Sequence, residues 1–309
     1  MRIGIIGLGD IAQKAYLPVI TARQDIELIF CTRNNATLQD LAATYRVAEH
    51  VTDVDDLIAG GIQAAFVHSA TESHPALVSK LLRSGVHVYV DKPLSYTYEE
   101  SRELVELAET TGRTLMVGFN RRFAPMYASL KEKENPRMIL MQKNRPPSPG
   151  YARPFVYDDF IHVVDTLRFL APGEIKDIRV TSHQENGRLH HVMLQLGGEG
   201  FTAVGIMNRD SGSSEETVEL MSPGKKWIVR DLNNTTILAG KEESFLKFND
   251  WDPVLYRRGF HQIIDHFLAS IRENHQPSPS AQDSLETHRI CEQVVTEVLK
   301  QGAAAWGGE

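Results

Sequence analysis

The first 120 residues alternate short apolar runs with longer stretches in which apolar residues recur every three or four positions. The short runs predict strands covered on both faces, because they are too short to form buried helices. These strands are Arg2–Ile6, Ile26–Cys31, Ala64–Val67, Val86–Val90 and Thr114–Gly118. The stretches with helical spacing predict helices at about Ile11–Ala22, Ala36–Tyr45, His74–Ser84 and Tyr98–Thr111. Alternation of this kind predicts an α/β domain with a doubly wound parallel sheet.

After residue 120 the pattern changes to strand-like runs separated by turns rich in glycine, asparagine and serine, which is typical of antiparallel sheets. The runs are Ile175–Ser182, His190–Leu196, Thr202–Met207, Thr217–Met221 and Lys226–Val229. Helical spacing predicts helices at Asp158–Leu170, Pro253–Glu273 and Ala281–Gln301, and Arg145–Gly150 is predicted as a loop. We therefore predict two domains, residues 1–120 and residues 121–309. The second is an α+β domain with a large, mainly antiparallel open sheet.

The segment Gly7-Leu8-Gly9-Asp10-Ile11-Ala12 has the spacing G-x-G-x-x-A and joins the first predicted strand to the first predicted helix. In dinucleotide-binding Rossmann domains the first glycine permits a tight turn and the second lets the backbone approach a pyrophosphate. A small third residue allows close helix–strand packing, and free N–H groups at the helix start favour phosphates. We predict a dinucleotide site at Gly7, Gly9, Asp10 and Ile11. The alternative is an ordinary strand–turn–helix without a ligand.

The end of the second predicted strand bears on the choice of dinucleotide. NAD-binding domains usually carry an acidic residue there, about 20 residues beyond the glycines, to hold the ribose 2′-hydroxyl. This position holds Thr32, which cannot repel a 2′-phosphate, and it is followed by Arg33, which can pair with one. We predict NADP(H) as the favoured cofactor. The alternative is NAD(H), with Arg33 as a solvated surface residue.

Composition narrows the class of protein. With 309 residues, of which 42% are hydrophobic and 24% charged, the chain is long enough for two domains and is unlike a disordered or disulfide-rich protein. A net charge of −7 argues against broad phosphate-backbone binding, so no nucleic-acid partner is expected. The chain has two cysteines, Cys31 and Cys291, and no pattern of structural disulfides, which suits a reducing compartment. Neither a secretory signal nor a membrane-spanning segment is seen in the sequence, so we expect a cytoplasmic protein.

Three segments together resemble signatures of the glucose–fructose oxidoreductase, inositol dehydrogenase and rhizopine-catabolism (Gfo/Idh/MocA) family. They are Val86–Pro93, similar to G-x-H-V-x-x-E-K-P, Met116–Pro125, reading MVGFNRRFAP, and Asp158–Asp165, similar to D-x-G-x-H-x-x-D. The resemblance runs from residue 3 to about residue 300 and is closest to the MviM-like branch. It implies an NAD(P)-dependent dehydrogenase or reductase acting on CH–OH groups. It also implies a homodimer or homotetramer, which would cover an exposed face of the second sheet.

Lys92 directly follows a predicted strand, which places it at the carboxyl edge of the parallel sheet, where open α/β folds bind ligands. A lysine there can stabilise negative charge on a reacting oxygen. The alternative, from the sequence alone, is a surface lysine at a strand end. The resemblance implies that Lys92 is the catalytic lysine, that its bond to Pro93 is cis, and that the loop after Val67 lies against the nicotinamide. The resemblance therefore implies six further cofactor-binding residues, which are Ser69, Ala70, His74, Asp91, Lys92 and Asn120.

Asp158, His162 and Asp165 are spaced i, i+4 and i+7 and form a narrow polar stripe on an otherwise apolar helix. A cleft explains such a stripe better than a solvated face, and the alternative is structural hydrogen bonding between domains. Histidine transfers protons near neutral pH, and a carboxylate one turn away can orient it. The resemblance implies that Asp158 and His162 are the acid–base pair and that Asp165 supports the structure.

The leading hypothesis is an NAD(P)-dependent oxidoreductase of small, polar, sugar- or polyol-like substrates, with the reaction in the cleft between the two domains. Phe160 and Pro154–Tyr157 stand where the family usually has glycines. These departures motivate the alternative of a dinucleotide-binding sensor or regulatory protein without turnover. No metal site is expected, because the histidines lack a convincing set of further ligands.

Overall fold

A computed structural model describes residues 1–306, with side chains described as far as residue 302. They form two compact units, Met1–Phe119 with Phe260–Glu286, and Asn120–Gly259 with the chain from Thr287 onward. The first unit contains a parallel sheet and the second a mainly antiparallel sheet, which confirms the predicted fold class. The first break in the chain lies next to residue 120, whereas residues 260–286, placed in the second domain from the sequence, cluster with the first unit.

The sheet of the first unit consists of strands β1 (Arg2–Ile6), β2 (Glu27–Cys31), β3 (Glu49–Val51), β4 (Ala64–Val67), β5 (His87–Val90) and β6 (Leu115–Val117). Their order is β3-β2-β1-β4-β5-β6. β3 has no predicted counterpart, because its short Glu-His-Val sequence is only partly buried at the sheet edge. β1 pairs with both β2 and β4, so the strand order reverses at β1. Open α/β sheets bind ligands at the carboxyl ends of strands beside such a reversal.

Helices join these strands, and their ends follow from the sequence. A π-helical segment (Ala12–Tyr16) continues as α1 (Leu17–Ile20). The further helices are α2 (Asn35–Tyr45), α3 (Val54–Ala59), α4 (His74–Arg83) and α5 (Tyr98–Thr111). A 3-10 turn (Thr71–Ser73) directly precedes α4. The side chains of Asn34, Asp53 and Thr97 cap α2, α3 and α5 by accepting backbone N–H bonds. Gly112 ends α5 with a φ of 62°, a conformation that favours glycine. α3, like β3, has no predicted counterpart.

The helix α10 (Phe260–Arg272) packs within the first unit, although it follows more than a hundred residues of the second. Its Phe267 ring lies 5.2 Å from the ring of Phe66 and 5.5 Å from that of Tyr89. Phe260 packs edge-on against Tyr16 with ring centroids 5.2 Å apart. Aromatic burial of this kind assigns the helix to the parallel sheet, and an amphipathic pattern alone does not name the surface that it covers.

The sheet of the second unit consists of β7 (Met138–Asn144), β8 (Ile175–Glu185), β9 (Arg188–Gly198), β10 (Phe201–Asn208), β11 (Glu215–Ser222), β12 (Lys225–Arg230), β13 (Asn234–Ala239) and β14 (Glu242–Lys247). Their order is β14-β13-β12-β11-β7-β10-β9-β8. All neighbours are antiparallel except β7 and β10, which are parallel. β7, β13 and β14 have no predicted counterparts. In β7 a buried lysine, Lys143, continues the inward row of Ile139 and Met141, so the hydrophobic alternation is interrupted.

The helical segments of the second unit are a 3-10 turn (Asn120–Phe123), α6 (Pro125–Lys131), α7 (Ala152–Pro154), a π-helical segment (Phe155–Phe160), α8 (Ile161–Leu170), α9 (Val254–Arg257) and, continuing from the first unit, α11 (Ala281–Trp306). α8 packs closely on β10, where a Cβ on Gly205 would lie 2.5 Å from Val163 and 2.8 Å from Leu167. The predicted helix Pro253–Glu273 is interrupted at Gly259, whose φ is 81°. Among the described residues, none of the helices has the length and apolar character required to cross a bilayer.

Candidate functional site

The glycine turn after β1 has the form that a dinucleotide requires. Gly7 has a φ of 84°, and a Cβ there would lie 2.6 Å from the backbone nitrogen of Ser69, so only glycine fits. A Cβ on Gly9 would meet nothing within 4 Å, so the backbone faces open space at that point. Ala12 is fully buried. Gly7 therefore shapes the turn, the backbone at Gly9 is left open as the dinucleotide motif predicts, and Ala12 lets the helix pack on the sheet.

The helix that follows this turn begins at Asp10. Asp10 and Ile11 are both exposed, and the Asp10 carboxylate forms a surface ion pair with Lys14 at 2.6 Å. The first backbone N–H groups of a helix have no partner within the helix, which makes this terminus a ready site for phosphates. Lys14 offsets the negative charge of Asp10 near that site.

The end of β2 carries no carboxylate of its own, since Thr32 and the exposed Arg33 follow it directly. A carboxylate comes instead from Asp53, the residue that caps α3. Burial and, after it, the charge of Asp53 raise the pKa of the Cys31 thiol to about 11. Both a cation and an anion therefore stand near the end of β2, and cofactor preference depends on which of them contacts the ribose.

The turn after β5 holds Lys92, and its bond to Pro93 is cis, which confirms the expectation from the resemblance. Asp91 stands where the family signature has a glutamate, and its carboxylate accepts a hydrogen bond from the Tyr16 hydroxyl at 2.8 Å. The Tyr89 hydroxyl lies 2.9 Å from that of Tyr16 and donates to it, because Tyr16 gives its own proton to Asp91. Burial raises the pKa of Asp91, while the charge of Lys92 and the Tyr16 hydrogen bond oppose this rise. Two buried tyrosines thus hold the carboxylate next to Lys92.

The glycine of the Gly118-Phe119-Asn120 segment is explained by these tyrosines. A Cβ on Gly118 would lie 2.6 Å from the Tyr89 hydroxyl and 3.1 Å from that of Tyr16. The ring of Tyr16 also stacks on the ring of His68, with the ring centroids 3.9 Å apart. Burial lowers the pKa of His68 to about 3, so this imidazole is neutral at physiological pH.

His74 ties the loop after β4 to the turn that carries Lys92. Its ring is 1% exposed, with Nδ1 2.9 Å from the Pro93 carbonyl oxygen and Nε2 3.0 Å from that of Ser69. Ser69 is half-buried and Ala70 is exposed. Of the three residues predicted in this loop to contact the cofactor, Ser69 and Ala70 are therefore accessible, whereas His74 holds the backbone of both segments in place.

The predicted acid–base residues lie in the second unit. Asp158 is half-buried in the π-helical segment, and His162 is 8% exposed in α8. Because a π-helical turn contains more residues than an α-helical turn, the single α-helical register predicted for the stripe does not hold at Asp158. Asp165 accepts two hydrogen bonds from Arg122, at 2.6 and 2.9 Å, and one from Thr287 at 3.0 Å, which supports its structural role.

The bulky residues that replace the family's glycines are inside the second unit. Tyr157 and Phe160 are fully buried, and the Tyr157 hydroxyl donates to Glu292 at 2.7 Å. Asn120, predicted from the resemblance to contact the cofactor, also belongs to this unit. It is 7% exposed, and its Nδ2 donates to the Arg258 carbonyl oxygen at 2.8 Å.

A charged cluster in the second unit has no counterpart in the sequence prediction. Asp159, next to Asp158, is 9% exposed and forms ion pairs with Lys143, Arg145 and Arg209. These cations hold the pKa of Asp159 well below its usual range, although burial opposes them. The sequence signal was a lysine within the apolar run of β7, which is unusual for an inward position.

The comparisons with known proteins cover both units. Residues 1–119 match the family model described as an oxidoreductase family with an NAD-binding Rossmann fold, and residues 125–240 match the C-terminal domain of YceM-like proteins. The chain is 34% identical to YceM of Salmonella typhimurium over 97% of its own length and 99% of that protein. The chain belongs to the Gfo/Idh/MocA oxidoreductase family. The resemblance seen in its motifs is thereby confirmed, and residues 1–119 form an NAD-binding Rossmann domain.

Two further similarities extend this family assignment. The structure of the dehydrogenase MviM from Clostridium difficile is 34% identical, with a TM-score of 0.90, over 96% of this chain and 99% of that one. Inositol 2-dehydrogenase of Acidothermus cellulolyticus is 28% identical over 63% of this chain and 62% of its own length. Within the described residues of this Gfo/Idh/MocA protein, no group of three or more His, Cys, Asp or Glu side chains is arranged to hold a metal ion.

Proposed function

We propose that this protein transfers a hydride between a nicotinamide dinucleotide and a small, polar substrate resembling a sugar or a polyol. The observation that carries the proposal is the turn at the carboxyl end of β5. There Lys92 lies between Asp91, whose carboxylate accepts a hydrogen bond from the buried Tyr16, and Pro93, to which it is joined by a cis bond. The open backbone at Gly9 and the similarity to an inositol 2-dehydrogenase support it. When bound, the nicotinamide dinucleotide would supply the hydride chemistry, and the turn at Gly7 and Gly9 would hold its pyrophosphate.

The proposed roles follow from the chemistry of each side chain. Lys92 donates a hydrogen bond to the substrate oxygen and stabilises the negative charge that develops there. His162 takes up or returns the hydroxyl proton, and Asp158 assists it by orienting the imidazole. The half-buried Asp158 and the mostly buried His162 suit this role, because partial removal of water strengthens both interactions.

A substrate screen tests the proposal. Sugars, polyols and their oxo forms are supplied to the full chain with NAD or NADP in either redox state, and absorbance of the reduced nicotinamide is followed. We expect turnover with at least one member of these classes. Dinucleotide binding without turnover of any compound would contradict the proposal and favour the sensor alternative that the bulk of Phe160 suggested.

Cofactor preference has a separate test. We propose that NADP(H) is favoured and that Arg33 pairs with its 2′-phosphate. Arg33→Ala is then expected to weaken NADPH binding by roughly tenfold, the effect of losing a charge-assisted hydrogen bond, and to leave NADH binding unchanged. Fluorescence titration of both dinucleotides measures this, with Arg102→Ala on the surface of α5 as the control. If NADH binds more tightly than NADPH, and Arg33→Ala does not change its binding, the result would instead indicate that Asp53 contacts the ribose.

The outer face of the second sheet supports a further expectation about assembly. Met138 and Met193 are 42% and 39% exposed, and Val204 and Ile206 on the strand between them are only half-buried. Residues paired across strands share a face, and Ile206 is paired with Met193. We propose that a second copy of the chain covers this apolar face, which gives a homodimer or homotetramer. Light scattering that returned the 34.7 kDa mass of a single chain would exclude this.

A further inference from the structure

Buried positive charge in the second unit exceeds the negative charge that accompanies it. Two carboxylates, Asp159 and Glu216, are 9% and 8% exposed. Glu216 is fully engaged by Arg121, whose Nε and Nη2 donate to it at 2.8 and 2.7 Å. Asp159 alone faces three cations, which are Lys143, Arg145 and Arg209. When Lys143 is protonated, the group therefore holds four cations, of which Arg145 is partly exposed, against two carboxylates, and a bound anion would offset this excess.

The arginines around Asp159 are not saturated by it. Arg145 donates to Asp159 at 3.2 and 3.4 Å and Arg209 at 3.3 Å, longer than the 2.7–2.9 Å usual for charge-assisted bonds. The Nε of Arg209 is buried, and no described residue accepts a hydrogen bond from it. Its guanidinium is held in place by stacking on Phe155, 4.4 Å from the ring centroid. Of these two arginines only Arg145 lines a cavity, so its spare donor capacity is the one available for recognition of a carboxylate or phosphate.

A cavity of about 210 Å³ opens beside this group, and its lining includes Arg121, Lys143, Arg145 and Arg258. Two carboxylates, Glu215 and Asp231, also line it, but both are exposed at the rim and already accept hydrogen bonds, from Asn144 Nδ2 and from the backbone of Glu216. Water screens charges at the rim far more than those in the buried group. Arg258 is exposed as well, so the buried charges of the lining are Arg121, Lys143 and Glu216, and the interior of the cavity has one more basic side chain than carboxylates.

We propose that this cavity binds an oxyanion, so that the substrate is a polyol or sugar bearing a carboxylate or phosphate group. The inference rests on the proposed function, because it names the substrate class of the same unit. Asp159, the residue paired with Lys143 and Arg145, directly follows Asp158 in the chain, so an anion held here lies next to the segment that carries the proposed acid–base residues. Arg145, 41% exposed at the side chain, is the most accessible of the three cations paired with Asp159.

Lys143 gives the proposal a pH signature. Burial and the charge of Arg121 lower its pKa to about 7, against the opposing effects of Asp159 and Glu216. A bound anion favours the charged ammonium and therefore raises this pKa, so binding takes up a proton. Affinity for the anion is thus expected to rise as the pH falls through about 7 and to level off below it.

The test compares matched probes by calorimetry on the full chain, with and without NADP⁺. D-gluconate and D-glucitol differ by one carboxylate, and D-glucitol 6-phosphate supplies a phosphate instead. We expect either anion to bind at least roughly tenfold more tightly than D-glucitol, from charge-assisted hydrogen bonds. Whichever anion binds more tightly identifies the natural group. Equal binding of the neutral and charged probes, or no binding of either anion, overturns the proposal.

Variants separate this site from general surface charge. Arg145→Met is expected to remove most of the preference for the anion, whereas Arg179→Met, which alters an arginine 74% exposed on β8, leaves it intact. Lys143→Met is expected to flatten the pH dependence. An anion preference that persists in Arg145→Met contradicts the assignment. Because no turnover occurs without NADP⁺, the calorimetry without the dinucleotide measures binding alone, and a chain that binds the anion but oxidises no substrate refutes the proposed catalysis and retains the site.

Discussion

Lys92→Met is expected to reduce turnover about a thousandfold, to the background of the assay, while dinucleotide binding is retained. Methionine keeps most of the length of the side chain but removes the ammonium that we propose stabilises the substrate oxygen. Two buried supports of the turn remain in this variant, because Tyr16 donates to Asp91 and His74 lies against the Pro93 carbonyl. The measurements are steady-state turnover and NADPH titration.

Lys80→Met provides the matched control for this variant, because Lys80 lies in the same unit and pairs on the surface with Asp55. Its turnover is expected to equal that of the wild type. Near-normal turnover of Lys92→Met would remove this lysine from the chemistry altogether. Loss of turnover together with loss of NADPH binding would show instead that Lys92 supports the cofactor and does not act on the substrate.

Gly7→Ala is expected to lower the free energy of unfolding by about 3 kcal/mol, from a strained backbone and an overpacked contact. A φ of 84° is unfavourable for alanine, and the added Cβ would lie 2.6 Å from the backbone of Ser69, which cannot move aside as a flexible side chain could. Chemical denaturation measures the loss. Dinucleotide binding is expected to weaken as well, because the turn and the Ser69 loop shift together.

Gly9→Ala separates the structural role from the proposed binding role. No atom lies within 4 Å of its added Cβ, so stability is expected to remain within about 0.5 kcal/mol of the wild type. Dinucleotide binding is expected to fall, since a methyl group occupies the approach of the pyrophosphate. Unchanged binding in Gly9→Ala would place the pyrophosphate elsewhere, and unchanged stability in Gly7→Ala would contradict the packing argument.

The strongest elements of both sheets were visible in the sequence. β1 and β4 agree with their predicted bounds, because continuous apolar runs are the direct signature of strands buried on both faces. β3, β13 and β14 had no such signature, since they lie at or near sheet edges and their side chains are partly exposed. The hydrophobic pattern reports burial, and strands without a buried face leave little trace in it.

The candidate site divides along the same line. The spacing of Gly7, Gly9 and Ala12 carries its own geometry, and the structure gives each the surroundings that the motif predicts. The support of Asp91 by Tyr16 joins residues 75 positions apart, and nothing near either residue in the sequence indicates the other. The cluster around Asp159 likewise combines β7, the loop after it, and the end of β10.

The sequence by itself determined the parallel Rossmann sheet, the dinucleotide turn and the family. Each of these is indicated by the spacing of residues that are close together in the sequence, and this spacing does not depend on how the chain folds. Only the tertiary structure decided that α10 belongs to the first unit and that Lys143 is a buried cation paired with Asp159. Both outcomes depend on which distant surfaces come together to exclude water. Burial changes the free energy of an aromatic ring or a charged group by more than local secondary-structure preferences do. Which groups become buried cannot be read from the neighbouring residues in the sequence.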